Sequence, residues 1–178
     1  MKWLNGYNKG EKFMATLTIS ATKKTMIITG FNHGIYPLLP AITNKSEKDL
    51  MILNSFGAVI SQPYGCLMRN IILAIYNENV EEIYLIGETG SQEGKPNKDE
   101  MLEKIKAAGT SADIINAINY IDAVDHDVIN WLIGSQNIED VLKKNKDIIE
   151  GHPLIPKSIP VHAYIANPAT GEYYPVSN

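Results

Sequence analysis

Apolar residues along this chain fall into two rhythms. Short continuous runs occupy residues 25–30 (TMIITG), Leu50 to Leu53, and Ile83 to Ile86. Each is β-branched or aromatic and each ends at a polar, Gly-containing stretch, so each reads as a strand buried on both faces. The run at 83–86 has the most abrupt change, into GETGSQ, and is expected to be a central strand of a parallel sheet. Between residues 64 and 77 the spacing becomes helical. Leu67, Ile71 and Ile75 recur at four-residue steps, and Met68 and Ile72 widen the stripe into a face suited to lying on a sheet.

Helix punctuation dominates the second half. Asn97, three residues before Glu100, resembles a capping box, and Gly109 closes that helix. Ser111 is expected to cap a helix carrying Ile114, Ile115 and Ile118. Asp125 is expected to cap the next, closed by Gly134, and Asn137 the last, closed by Gly151 ahead of Pro153. The C-terminal residues 161–176 read as two strands around a Pro168-Ala169-Thr170-Gly171 turn, hence a hairpin. Residues 31–40 read as a loop and a short segment broken by Pro37 and Pro40. Residues 1–20 read as an N-terminal arm bearing Trp3, Leu4, Tyr7 and Phe13. The expected fold is one α/β domain over residues 1–178, a mainly parallel sheet flanked by helices.

Composition narrows the function little. A net charge of −4 leaves no electrostatic footprint for nucleic acid. No apolar run approaches the roughly 20 residues of a membrane span, and the first residues lack the apolar segment of a secretory signal. Cys66 is the single cysteine, which excludes an intramolecular disulfide and fits a reducing cytoplasm. A free cysteine beside a helical stripe is expected to be buried.

In open α/β sheets ligands bind beyond the carboxyl ends of the strands. That places the candidate chemistry in the loops after the first and third strands, FNHG and ETGSQ. Their order and setting resemble the β-class carbonic anhydrases, which carry a Cys-x-Asp-x-Arg motif after the first strand and His-x-x-Cys after a later one. Asn54 to Gly57 stands where that family has Arg-Asn-Ala-Gly, Arg69 lies in the corresponding helix, and IPVHAYIANPATGEY resembles its closing hairpin. The resemblance implies a dimer with arms crossing to the partner subunit. Matched position by position, the zinc ligands fall on Gly30, Glu88 and Ser91, and the Asp–Arg pair on Asn32 and Gly34. All five are replaced.

A catalytic zinc needs three protein donors and an open position for water. Gly30 supplies none and a neutral Ser91 hydroxyl is a poor ligand, so zinc is expected to be absent and carbon dioxide hydration lost. The expected pocket is lined by Gly30, Asn32, His33, Gly34, Glu88 and Ser91. A carboxylate in that pocket favours a small neutral or cationic polar ligand over bicarbonate. His33, next to the lost positions, is read as a loop histidine bonded to backbone, with pairing to Glu88 as the alternative. The retained fold is expected to bind a small molecule or to serve as an interaction or regulatory module. The competing functions are a divergent carbonic anhydrase with rearranged ligands, or a hydrolase using Glu88 as base. The stretch GSQEGK is one residue short of a phosphate loop, and Pro96 stands where such a loop needs Ser or Thr.

Overall fold

The computed structural model describes residues 22–90 and 97–177. The expected arm at 1–20 and Ser91 lie outside the described residues. Five strands form one sheet in the order β2-β1-β3-β4-β5, where β1 is Lys24–Thr29, β2 Leu50–Asn54, β3 Val80–Glu88, β4 Val161–Ala166 and β5 Tyr173–Pro175. The first four are mutually parallel, and β5 returns antiparallel from β4. The central position of β3 follows from its sequence: Ile83, Tyr84, Leu85 and Ile86 are all buried, so neither face can look at solvent.

The helices are α1 (Leu39–Thr43), α2 (Cys66–Asn77), α3 (Lys98–Ala107), α4 (Ala112–Ile118), α5 (Val128–Ile133) and α6 (Ile138–Gly151). On one face of the sheet the larger core joins Ile28, Ile83 and Leu85 to Met68 and Ile71 of α2 and Leu142 and Ile149 of α6. On the other, a smaller core joins Ile27, Tyr84 and Ile86 to Ile35, Leu39 and Ile42. Gly87 lets α6 approach β3 closely, since a Cβ there would lie 2.5 Å from Ile138 Cγ1.

Three caps stand as the sequence suggests: the side chains of Asn97, Ser111 and Asn137 accept from the backbone N–H groups of Glu100, Ile114 and Glu139. The fourth is corrected. Asp127, not Asp125, caps α5 by accepting from Asn130 N–H at 2.9 Å, while Asp125 takes a left-handed conformation (φ 52°) that ends a preceding 3-10 turn. Gly151 is the last residue of α6 and His152 follows as its cap.

Two further expectations change. The stretch around Pro37 and Pro40 is a 3-10 turn (His33–Leu38) leading into α1, with Pro40 in the first helical turn, where a missing N–H costs nothing. Cys66 is exposed at the first residue of α2, because the buried stripe is centred on Met68, Ile71 and Ile75.

Candidate functional site

The carboxyl ends of β1, β2 and β3 meet at one place. Glu88, half-buried, is the last residue of β3, and its Oε1 lies 3.5 Å from the hydroxyl of buried Thr29 at the end of β1. Gly30 comes next. An ideal Cβ on Gly30 would stand 2.7 Å from Glu88 Oε1, so the carboxylate fills the space that a side chain there would take. Gly30 is absent from the positive-φ glycines, so its value to this site is room rather than an unusual backbone angle.

Polar contacts tie the neighbouring loops together. Asn54, paired in register with Thr29, donates from Nδ2 to the Gly30 carbonyl and accepts from the Tyr36 hydroxyl at 3.1 Å. Ser55 N–H donates to the Thr29 carbonyl at 2.9 Å. Asn32 is the N-cap of the 3-10 turn, its Oδ1 accepting from Gly34 N–H at 2.9 Å. His33 is exposed and stacks on Tyr36 with centroids 4.9 Å apart, a ring contact rather than the expected backbone hydrogen bond. The C-terminal hairpin lies beside these loops. A Cβ on Gly34 would lie 3.4 Å from Pro168 Cβ, and one on Gly90 3.0 Å from Asn167 Oδ1.

The structure therefore brings Gly30 and Glu88 into contact and keeps Asn32, His33 and Gly34 on one adjoining loop. Thr29, Tyr36, Asn54, Asn167 and Pro168 complete the place. Their convergence comes from sheet register and the hairpin, which no short motif encodes.

Among the described residues, the donors assembled here do not make a zinc site. Gly30 has no side chain, Asn32 already uses its oxygen as a cap, and His33 is turned onto Tyr36. Among the described residues no group of three or more His, Cys, Asp or Glu side chains is placed to hold a metal ion. One carboxylate cannot replace three donors.

A second polar cluster occupies the amino end of the same strand. Glu82 accepts from Thr25 Oγ1 at 2.8 Å and pairs with Lys45 Nζ at 2.6 Å, and His162 Nε2 stands 4.0 Å from its other oxygen. Burial pushes the Glu82 carboxyl up, but the Lys45 and Thr25 hydrogen bonds and the Lys45 charge outweigh it, leaving it below its ordinary value. The hydrogen bond to Glu82 raises Lys45. Tyr84, stacked on Tyr164 and tilted against His162, is raised by burial and then by the Glu82 charge.

No family model matches the chain. Individual relatives do. YtiB of Bacillus subtilis (strain 168), by name a candidate carbonic anhydrase, is 35% identical over 150 residues that cover 84% of this chain and 79% of YtiB. The chain belongs to the β-carbonic anhydrase family. YbcF of the same organism, by name a candidate carbonic anhydrase-like protein, is 32% identical over 162 residues, 88% of each chain. The crystal structure of β-carbonic anhydrase isoform I from the protozoan Trichomonas vaginalis aligns with a TM-score of 0.69 over 88% of this chain and 85% of that one. Its 18% identity bears on the fold alone. The parallel β2-β1-β3-β4 sheet with its antiparallel β5 is thus the β-carbonic anhydrase-like fold expected from the sequence. Among the described residues no helix is long and apolar enough to cross a membrane.

Proposed function

We propose that this protein is a carbonic anhydrase-fold member that has given up the zinc hydroxide reaction and uses the strand-end pocket to bind a small polar ligand. The observation that carries the proposal is the contact between Gly30 and Glu88. Where the family resemblance puts a zinc thiolate, there is a glycine whose free space holds a neighbour's carboxylate. Hydration at neutral pH needs hydroxide. Zinc supplies it by lowering the pKa of bound water to about 7. A carboxylate, whose ordinary pKa is about 4.3, is far too weak a base for water of pKa about 15.7.

The negative charge of Glu88 beside backbone and amide groups favours a neutral or cationic ligand and disfavours bicarbonate. The protein works as a homodimer in the cytoplasm on this reading. The exposed, tilted pair Phe31 and Phe56, with centroids 6.5 Å apart at the strand ends, supports a contact with a second copy.

Metal analysis of the purified full chain combined with stopped-flow carbon dioxide hydration tests the proposal. The expected result is no bound zinc and a rate equal to buffer, with or without added zinc. Zinc-dependent hydration by the wild type overturns it.

A further inference from the structure

A cavity of about 400 Å³ lies among α5, α6 and the loop after β2. We propose that it binds a free α-amino acid with an apolar side chain. One wall is a stripe of α6: Asp140, Val141, Lys144 and Asn145 fall at i, i+1, i+4 and i+5, and all four line the cavity. Val141 and Asn145 are buried and form its floor, while Asp140 and Lys144 are exposed at its edge. Asn145 also ties α6 to the loop that brings in Val59 and Ile60, through Ile60 N–H and the Ala58 carbonyl. Val124 and Trp131 complete the apolar part of the lining.

The two charges on the α6 wall are of opposite sign and are not paired with each other. On the same helix, Glu139–Lys143 and Lys146–Glu150 close at 3.1 and 4.0 Å. Asp140 and Lys144 have the same i,i+4 spacing, yet neither has an ion-pair partner among the described residues. Aspartate is one methylene shorter than glutamate, and the open pair it leaves borders the cavity. Two more carboxylates line the same space. Asp127 is already held by Asn130 N–H and Lys98. Asp125, at the end of the 3-10 turn, has no ion-pair partner among the described residues.

A zwitterion answers both signs at once. A free amino acid carries its ammonium and its carboxylate on one carbon, and so can bridge an open acid–base pair. The ammonium donates to Asp140, with Asp125 as a second acceptor, and the carboxylate accepts from Lys144; these bonds are charge-assisted. The side chain lies against Val59, Val124 and Trp131 and sheds water there. A plain metal cation would leave Lys144 unanswered, and a plain anion would meet two unpaired carboxylates. None of these residues belongs to the strand-end pocket, so this proposal stands or falls separately from the zinc question.

The chain has two tryptophans, Trp3 and Trp131, so Trp3→Phe leaves the cavity's own indole as the single fluorophore. L-Phenylalanine is the probe, titrated into the full chain with that substitution and excited where only indole absorbs. The expected result is a saturable change in Trp131 emission. Phenethylamine lacks the carboxylate and N-acetyl-L-phenylalanine lacks the ammonium, and each should bind at least about tenfold more weakly. Lys144→Gln, at an exposed helix position, should weaken L-phenylalanine by a similar factor and bring it level with phenethylamine. Trp131 emission that does not change at millimolar L-phenylalanine overturns the proposal. So does binding of either analogue as tight as that of L-phenylalanine, or undiminished binding of L-phenylalanine to Lys144→Gln.

Discussion

The Glu88 carboxylate stands 2.7 Å from the point where Gly30 would carry its Cβ. These two residues exclude one another at the strand ends, since a side chain on Gly30 and the present Glu88 rotamer cannot coexist. The obstacle is the mobile end of a flexible side chain and not backbone, and Gly30 has no positive φ to lose.

Zinc binding should therefore be restorable. Gly30→Cys with Glu88→His and Ser91→Cys replaces the blocking carboxylate in the same step that adds the thiolate. The triple variant is expected to fold and to hold near-stoichiometric zinc by metal analysis, while the wild type holds none. Hydration should need Asn32→Asp and Gly34→Arg as well. A folded triple variant that ignores zinc would show that these are not the family's metal positions.

Two glycines at neighbouring strand ends should respond differently to the same substitution. Gly87→Ala drives a methyl against Ile138 Cγ1 at 2.5 Å and Leu142 Cδ1 at 3.0 Å, inside the packed contact of α6 with β3. Overpacking of that kind costs about 1–3 kcal/mol. Gly30→Ala displaces only a carboxylate end and should cost less than about 1 kcal/mol. Urea denaturation of both variants checks the order, and equal losses would contradict it.

The contrast also shows what the sequence made legible. Burial of residues 83–86 on both faces could be read from a continuous apolar run, and it places β3 at the centre. The caps at Asn97, Ser111 and Asn137 are local chemistry and were equally readable. Asp125 and Asp127 are chemically interchangeable as caps, and only the left-handed turn at Asp125 decides between them. The exposure of Cys66 depends on the phase of α2, which a stripe of five apolar residues leaves loose by one position. At the candidate site, the resemblance singles out Gly30 and Glu88, and the structure puts them side by side. The Tyr36–Asn54–Gly30 chain and the hairpin contacts at Asn167 and Pro168 were not legible, because they join residues far apart in sequence.

A dimer is expected in solution. Light scattering of the full chain at micromolar concentration should give twice the chain mass of 19.7 kDa. Deleting residues 1–14 should lower both the mass and the unfolding temperature if Trp3, Leu4, Tyr7 and Phe13 serve the interface that the family resemblance implies. An unchanged mass after the deletion would exclude the arm from that role.

Asn145 should be among the least replaceable polar residues. It is 1% exposed on α6, accepts from Ile60 N–H at 2.9 Å and donates to the Ala58 carbonyl at 2.6 Å. The loop after β2 is thereby fixed to the helix that packs on β3. Asn145→Ala leaves a buried donor and a buried acceptor unpaired, at a cost of about 2–4 kcal/mol. Asn145→Asp keeps the acceptor and loses the donor, and it should also be destabilising. A loss below about 1 kcal/mol for Asn145→Ala would mean that water reaches both backbone groups.

The Glu82 cluster predicts the acid limb of the stability curve. Its folded carboxyl lies below the ordinary value because Lys45 and Thr25 favour the charged form more than burial opposes it. A depressed carboxyl contributes stability that is fully present above the unfolded pKa, about 4.3 for Glu. That contribution declines as pH falls through the lower folded value, because the unfolded chain then binds the proton more readily than the folded one. Glu82→Gln should therefore destabilise the protein by about 1 kcal/mol at pH 7, a modest figure because Lys45 is 43% exposed. The gap between wild type and variant should stay constant from pH 7 to about 5 and close as the pH drops below about 4. Denaturation midpoints measured across that range decide the matter. A gap that persists undiminished at pH 2 would show that packing, and not the Glu82 charge, accounts for the loss.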